Sequence, residues 1–296
     1  MPSESSEKLY ESQIMSFFKK SKFSPDDDFL KKHKEVIEEV KEFYQNHHTQ
    51  KNIYNAIIIY GRKLNYPEKW LAYYALEIEK LNNIIKSQVN TNEKTDRQAE
   101  NWISANEIKK IIEDLKKEIP QNVSTYPQYR SLMAFLAVYL QFNFPRRNDW
   151  ATMKLVISEP TNKDFNYMVL GGSAKTSKFI FNQFKTVSKL GPQVFPIPEN
   201  MFYTLKIYKP IIQSFSKDGF LFIRKDGEPL NTNEFTKFFT ATMKQKTNKK
   251  VGTSLLRHIV ISEKFSVDKD ELAKRAQLAL EMGHSISQQM QYAKSK

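Results

Sequence analysis

The chain lacks cysteine and any long apolar run. None of its 296 residues is cysteine, which excludes disulfides, thiolate metal sites and cysteine nucleophiles and fits a reducing compartment. The longest mostly apolar run, Leu132 to Leu140, is too short to span a bilayer. Residues 1–24 mix charged side chains such as Glu4 and Lys19 into their apolar positions, so no secretory signal is predicted. We therefore expect a soluble intracellular protein.

Acidic residues are too few to balance the basic ones. The chain has 46 Lys and Arg against 33 Asp and Glu, a formal charge of +13. Residues 1–100 contain 16 of each sign, whereas residues 101–296 contain 30 basic and 17 acidic residues, so the excess belongs to the second part. Such a field attracts polyanions, which makes nucleic acid the first candidate partner and an anionic membrane the second. No lipidation motif or strongly basic amphipathic anchor supports the membrane.

Dense acidic clusters, from which a cation site could be built, are almost absent. The only such run is Asp26 to Asp28, and at a helix start it is better placed to complement the helix dipole than to hold magnesium. The sequence therefore predicts no metal and no cofactor, and it disfavours two-metal nuclease chemistry.

Apolar periodicity divides the chain into two domains. Residues 1–24 are interpreted as a flexible leader, and residues 25–86 as a small helical domain with apolar side chains recurring three and four apart. Residues 87–102 contain almost no apolar side chain, as is typical of a solvated linker. Ser104 to Glu107 forms a capping-box pattern, so a second domain, 103–296, is predicted to begin with a helix there.

The second domain is predicted to be mainly α with a small antiparallel β-sheet. A helix from about Gln128 to Phe142 is apolar on most sides and is expected to be central. Three short β-type runs follow, at residues 166–170, 178–186 and 193–197, separated by Gly-containing turns. Further helices are expected at residues 199–215, 233–245, 254–265, 268–281 and 287–296.

Arginine, histidine and tyrosine then occur in an order that suggests phosphodiester chemistry. Leu256-Arg257-His258 is followed by Gly283-His284-Ser285 and by Tyr292, and Pro145 to Trp150 supplies two further arginines after the long helix. A phenol has a pKa of about 10 and is a poor nucleophile, so a tyrosine that cuts DNA needs cations around the phosphate. Each residue alone is better explained by packing or helix capping, but the ordered set favours a catalytic site.

These residues, in this order, resemble the tyrosine recombinases, which include the phage integrases. The resemblance covers roughly residues 103–293 and implies a helical DNA-clamp domain before a mixed α/β catalytic domain. In that family a first arginine precedes an acid by three residues, a pattern that Arg146 and Asp149 fit best, with Arg147 as the alternative. Phe184-Lys185-Thr186 resembles the surroundings of the family's β-hairpin lysine.

The remaining family positions fall in the last part of the chain. Arg257 matches the second arginine, while Ser254 stands where many members carry histidine. His284 matches the later histidine. Tyr292 matches the nucleophile, one residue closer to that histidine than is common.

The resemblance also implies the role of each residue. Tyr292 would form a 3′-phosphotyrosyl link and free a 5′-hydroxyl, without metal or ATP. Arg146 and Arg257 would offer forked donors to the nonbridging oxygens. Lys185 would protonate the departing oxygen, and His258 or His284 would assist the phenolic proton or hold the phosphate.

The resemblance implies double-stranded DNA as the partner and a homo-oligomer, a tetramer, working on it. Recombination or integration is the expected outcome. The amino-acid sequences of the segments Pro145 to Trp150 and Phe184 to Pro198 suggest a mobile element or virus as the source. The alternatives are type IB topoisomerase-like relaxation and a DNA-binding protein that has lost catalysis. Arg147 is also a candidate DNA contact. Four lysines just before the Arg257 helix are favoured as phosphate contacts over a solvated loop: Lys244, Lys246, Lys249 and Lys250.

Overall fold

The computed structural model describes residues 4–25, 28–89 and 94–264. The chain divides into two compact units, Met1–Lys94 and Thr95–Lys296. The division falls inside the segment 87–102 for which the sequence predicts a linker. Within the described ranges, no helix is long and apolar enough to cross a membrane.

The described part of the first unit is built from helices. Tyr54 of the third helix and Tyr74 of the fourth are fully buried, with their rings 6.3 Å apart. Glu77, nearly buried on the fourth helix, pairs with Lys41 of the second at 2.9 Å. The helices therefore enclose an apolar core, and ion pairs lie at its edge. They are α1 (Glu4–Phe18), α2 (His33–Phe43), α3 (His47–Lys63) and α4 (Glu68–Val89).

The expectation of a flexible leader at residues 1–24 is wrong for α1. This helix packs on α3, and Ile14 and Phe17 are 2% and 0% exposed within the core of the first unit. Tyr10, Ile14, Phe17 and Phe18 recur at helical spacing and form the apolar stripe that drives this packing. Glu11 between them and Lys8, Lys19 and Lys20 on either side are exposed, so the segment looks polar overall although it carries an apolar stripe.

The second unit places one apolar helix at its centre. In α7 (Tyr126–Asn143), Leu132, Phe135 and Leu136 are almost completely buried, which confirms the central helix that the sequence predicts. Helix α6 begins at the predicted capping box, where Ser104 and Glu107 satisfy each other's backbone amides. Helix α7 packs against α6 (Ala105–Lys117), α9 (Glu199–Phe215), α10 (Thr232–Thr247) and α11 (Thr253–Lys264), and the unit also contains α5 (Asp96–Asn101) and α8 (Val187–Leu190).

The sheet of the second unit is mixed, whereas the sequence predicted an antiparallel one. Strands β1 (Met153–Val156), β2 (Asn166–Val169), β3 (Lys178–Phe181) and β4 (Gln193–Pro196) lie side by side in chain order. Strands β2, β3 and β4 pair antiparallel, as expected, but β1 pairs parallel with β2. No strand was predicted at residues 153–156, so the sequence could not indicate the parallel pair.

The predicted strand 178–186 ends early, at Phe181. Beyond it the chain is held by side chains instead of a ladder: Asn166 Nδ2 donates to the Gln183 carbonyl at 2.9 Å, and the Gln183 amide donates to Asn166 Oδ1 at 2.8 Å. Lys185 therefore lies in the connection between β3 and β4, not on a strand.

The second half of the predicted linker is anchored in the second unit. Thr95 caps α5 in a capping box with Gln98, and Asn101 Oδ1 accepts the Lys250 amide at 2.7 Å. Polar composition alone does not separate a solvated linker from a short capped helix, because both are rich in hydrogen-bonding side chains.

Candidate phosphate-binding site

The loop between α7 and β1 carries the first pair of arginines. Helix α7 ends where Pro145 follows Phe144, since the residue before a proline is disfavoured in helical conformation. The next residues, Arg146 and Arg147, lie in a turn that leads to Trp150, which is fully buried among aromatic rings. Arg146 is half-buried beside the hydrophobic core, whereas Arg147 is exposed.

Arg146 is held in place from several sides. Its Nε donates to Asp149 Oδ2 at 3.0 Å and its Nη1 to Gln193 Oε1 of β4 at 2.8 Å. The guanidinium lies over the ring of Phe181, 4.2 Å from its centroid, and 5.0 Å from that of Phe184. Only 16% of the side chain is exposed. These contacts preorganise the group and use Nε and Nη1, so Nη2 is the nitrogen best placed to meet an anion.

Asp149 is the acidic side chain in this arrangement, and it is also largely buried. Burial raises the pKa of its carboxyl above the usual value, although the charges of Arg146, Arg147 and Arg257 act in the opposite direction. All three guanidiniums are therefore near enough to Asp149 for their fields to reach it. One carboxylate among three cations leaves the site positively charged.

Arg257 reaches the same place from α11. Its Nη2 donates to Ser254 Oγ, one turn earlier, at 3.4 Å. Its Nε is buried without a hydrogen-bond partner among the residues that the structure describes. Burial lowers the pKa of the guanidinium, repulsion from Arg147 adds to the effect, and Asp149 opposes it. A buried donor and a nearby like charge are both unfavourable until an anion is present.

The arginines line one hollow of about 200 Å³. Its walls come from the loop after α7, the β3–β4 connection and α11, segments that are remote in sequence. Phe184 and Thr186, the two neighbours of Lys185, belong to this wall, whereas the side chain of Lys185 is exposed. The lining residues are Pro145, Arg146, Arg147, Asp149, Phe184, Thr186, Leu190, Gln193 and Arg257.

The structure does not bring every predicted site residue into this hollow. His258 is exposed and absent from the lining, because adjacent residues of a helix point in different directions. His284 and Tyr292 lie outside the described residues. Gln193 was not predicted, and no local motif marks it; it enters the site only through the pairing of β4 with β3. No group of His, Asp or Glu that could hold a metal occurs in the described part of the chain.

The four lysines before α11 differ in their surroundings. The ammonium of Lys246 pairs with Glu118, and its side chain is only 18% exposed. Lys249 Nζ donates to the Trp102 carbonyl at 2.7 Å. Lys244 and Lys250 are exposed. Two of the four therefore have structural partners within the second unit, which the sequence could not indicate.

Comparison with known proteins gives a distant similarity to a solved structure. No family model matches the chain, and no curated protein matches it. Among solved structures the chain is similar to one described as "Crystal structure of XerA recombinase", with 14% sequence identity and a TM-score of 0.38. The match covers 88% of this chain and 78% of that one. A likeness of this degree does not decide the function.

Proposed function

We propose that this chain cleaves and rejoins double-stranded DNA through a 3′-phosphotyrosyl intermediate, giving site-specific recombination or integration. The observation that carries the proposal is the convergence of Arg146, Arg147 and Arg257 on one hollow, where the buried Arg257 Nε has no hydrogen-bond partner among the described residues. Forked guanidinium donors match the oxygens of a phosphate. The charge of the second part of the chain suits a polyanionic substrate.

In the proposed reaction, the phenolic oxygen of Tyr292 attacks phosphorus and the bond from phosphorus to the 5′-oxygen breaks. Arg146 and Arg257 stabilise the charge that grows on the nonbridging oxygens. Lys185 gives its proton to the departing 5′-oxygen, while His258 or His284 takes the phenolic proton or holds the phosphate. Attack by a 5′-hydroxyl on the phosphotyrosyl link reverses the step and reseals a strand, so no external energy source is needed. Exchange between two duplexes requires an oligomer, which we propose to be a tetramer on DNA. We also propose that the protein comes from a mobile element or a virus.

The proposal is tested with nicked suicide duplexes, in which a short 5′-hydroxyl fragment diffuses away after cleavage and prevents resealing. Because the target sequence is unknown, a pool of random duplexes is used, and protein–DNA adducts that survive denaturation are sequenced. We expect adducts enriched in one sequence. Relaxation of a supercoiled plasmid without strand exchange would instead identify a topoisomerase, and binding without any adduct would identify a catalytically inactive DNA-binding protein.

Lys185→Ala should slow cleavage of ordinary DNA by about 10²- to 10⁴-fold, the usual contribution of a general acid. The loss should largely disappear on DNA in which sulfur replaces the bridging 5′-oxygen, because a thiolate leaves without a proton. Lys189→Ala is the matched control, since Lys189 is exposed in the same connection. An equal loss on both substrates would remove Lys185 from the role of proton donor.

We propose that Lys244 and Lys250 contact DNA phosphates, whereas Lys246 and Lys249 serve the fold. Replacing Lys244 or Lys250 with glutamine should reduce the salt dependence of DNA binding by about one unit of slope each. Lys246→Gln, the control, should leave the slope unchanged because its ammonium pairs with Glu118. Fluorescence anisotropy over a range of salt concentrations measures the slope, and equal slopes for all variants would contradict the assignment.

A further inference from the structure

A chain of polar side chains joins the segment that carries Arg146 and Arg147 to the helix that carries Arg257. Asn148 Nδ2 donates to Thr236 Oγ1 of α10 at 2.9 Å, and Asn148 Oδ1 accepts from Thr253 Oγ1 of α11 at 2.8 Å. Thr253 is 6% exposed. One amide thus connects the arginine loop to two helices through partly buried hydrogen bonds.

Gln141 makes a second connection between the same segments. It is fully buried near the end of α7, and its Nε2 donates to the Arg146 carbonyl and, at 3.5 Å, to the Thr253 carbonyl. Its Oε1 has no hydrogen-bond partner among the described residues. A buried amide with one oxygen unsatisfied is costly. An apolar side chain at this position would avoid that cost. The presence of Gln141 is therefore explained by its hydrogen bonds to the Arg146 and Thr253 carbonyls.

The positions of these residues decide what the connection controls. Asn148 lies directly between Arg147 and Asp149, and Thr253 precedes Arg257 by one helical turn, on the same face of α11. A change in the bond between Asn148 and Thr253 would therefore alter the separation of the two sides of the hollow. Displacements of about 1 Å can reduce the rate of a positioned reaction by about 10²-fold.

We infer that Asn148 and Thr253 are positioning residues, which set the spacing between the arginine loop and Arg257 and so fit the hollow to one phosphate group. The inference rests on the proposed function for its phosphate, but not on the identity of the nucleophile. Neither side chain touches the substrate in this scheme.

The test compares Thr253→Val, which removes the hydroxyl at nearly constant shape, with Thr253→Ser, which keeps it. Thr253→Val and Asn148→Ala should each slow adduct formation by about 10- to 100-fold, with DNA affinity within about twofold of the wild type. Thr253→Ser should restore most of the rate. The double variant should be little worse than Asn148→Ala alone, because that change already removes the bond to Thr253. Thr204→Val is the control, since its hydroxyl bonds to Asn200 within α9.

A second readout does not depend on cleavage. Inorganic phosphate is titrated into ¹⁵N-labelled protein while the arginine Nε–H resonances are followed. The Arg257 signal should shift on binding in the wild type and in Thr253→Ser, and should need about tenfold more phosphate in Thr253→Val. If neither the wild type nor any variant forms an adduct, but the Arg257 signal shifts with phosphate as expected, the proposed function fails and the positioning role stands. If Thr253→Val and Thr253→Ser give the same results in both measurements, the positioning role is wrong. It is also wrong if Asn148→Ala changes neither the rate of adduct formation nor the phosphate titration.

Discussion

Arg257→Lys should lower the rate of covalent adduct formation by about 10²- to 10³-fold, the usual effect of removing one preorganised donor from a transition state. Lysine keeps the charge but loses the planar fork, so it cannot present two donors to two phosphate oxygens. Folding should change little, because the one side-chain hydrogen bond that Arg257 makes to a described residue is the 3.4 Å bond to Ser254, and Arg147 repels it. Single-turnover kinetics on a nicked duplex and a thermal melt measure the two quantities.

Arg224→Lys is the matched control for this experiment. Arg224 is also a partly exposed arginine of the second unit, but its Nε lies 3.5 Å from Asp226 Oδ1 and its Nη1 3.4 Å from Glu234 Oε1, and it does not line the hollow. Its replacement should leave cleavage unchanged. Near-normal cleavage by Arg257→Lys, or an equal loss in Arg224→Lys, would remove Arg257 from the phosphate clamp.

Tyr292→Phe should abolish the covalent product while DNA affinity stays within about twofold of the wild type. Only the phenolic oxygen is lost, and the proposed phosphate contacts come from arginine and lysine side chains. Denaturing gels measure the adduct and fluorescence anisotropy the affinity. Tyr292 lies outside the described residues, so this experiment, not geometry, assigns the nucleophile.

Tyr203→Phe is the matched control for the nucleophile. The hydroxyl of Tyr203 is on the surface of α9 and bonds to Glu199 at 3.3 Å, so its removal should not change cleavage. An adduct that persists in Tyr292→Phe would transfer the nucleophile to another tyrosine, with Tyr203 and then Tyr208 the next to be replaced.

Local signals in the sequence were enough to place most helices of the second unit. The capping box at Ser104 and the apolar face of α7 depend on side chains a few residues apart, so they can be read from the chain itself. The helix predicted at residues 199–215 is found as α9 with those bounds. Helices predicted at 268–281 and 287–296 lie outside the described residues.

Features that depend on distant pairing could not be read in this way. The parallel partner of β1 is decided by packing, not by the four residues of the strand. Lys246 pairs with Glu118, and Lys249 donates to the Trp102 carbonyl; both partners are more than a hundred positions away in the sequence. In the site, the family spacing marked Arg146 and Asp149, but the bond from Arg146 to Gln193 and the link from Asn148 to Thr253 arise only when separate segments meet. The catalytic roles stay predictions.

The central claim is that the hollow between Arg146, Arg147 and Arg257 receives the phosphate that is cut. Tungstate has the shape and charge of a phosphate group and can be located in a crystal by its anomalous scattering. We predict one strong peak in the hollow, with oxygens about 2.7–2.9 Å from Arg257 Nε and from a second arginine, at a concentration that also competes with DNA. An empty hollow, with DNA displaced by tungstate bound elsewhere, would contradict the account.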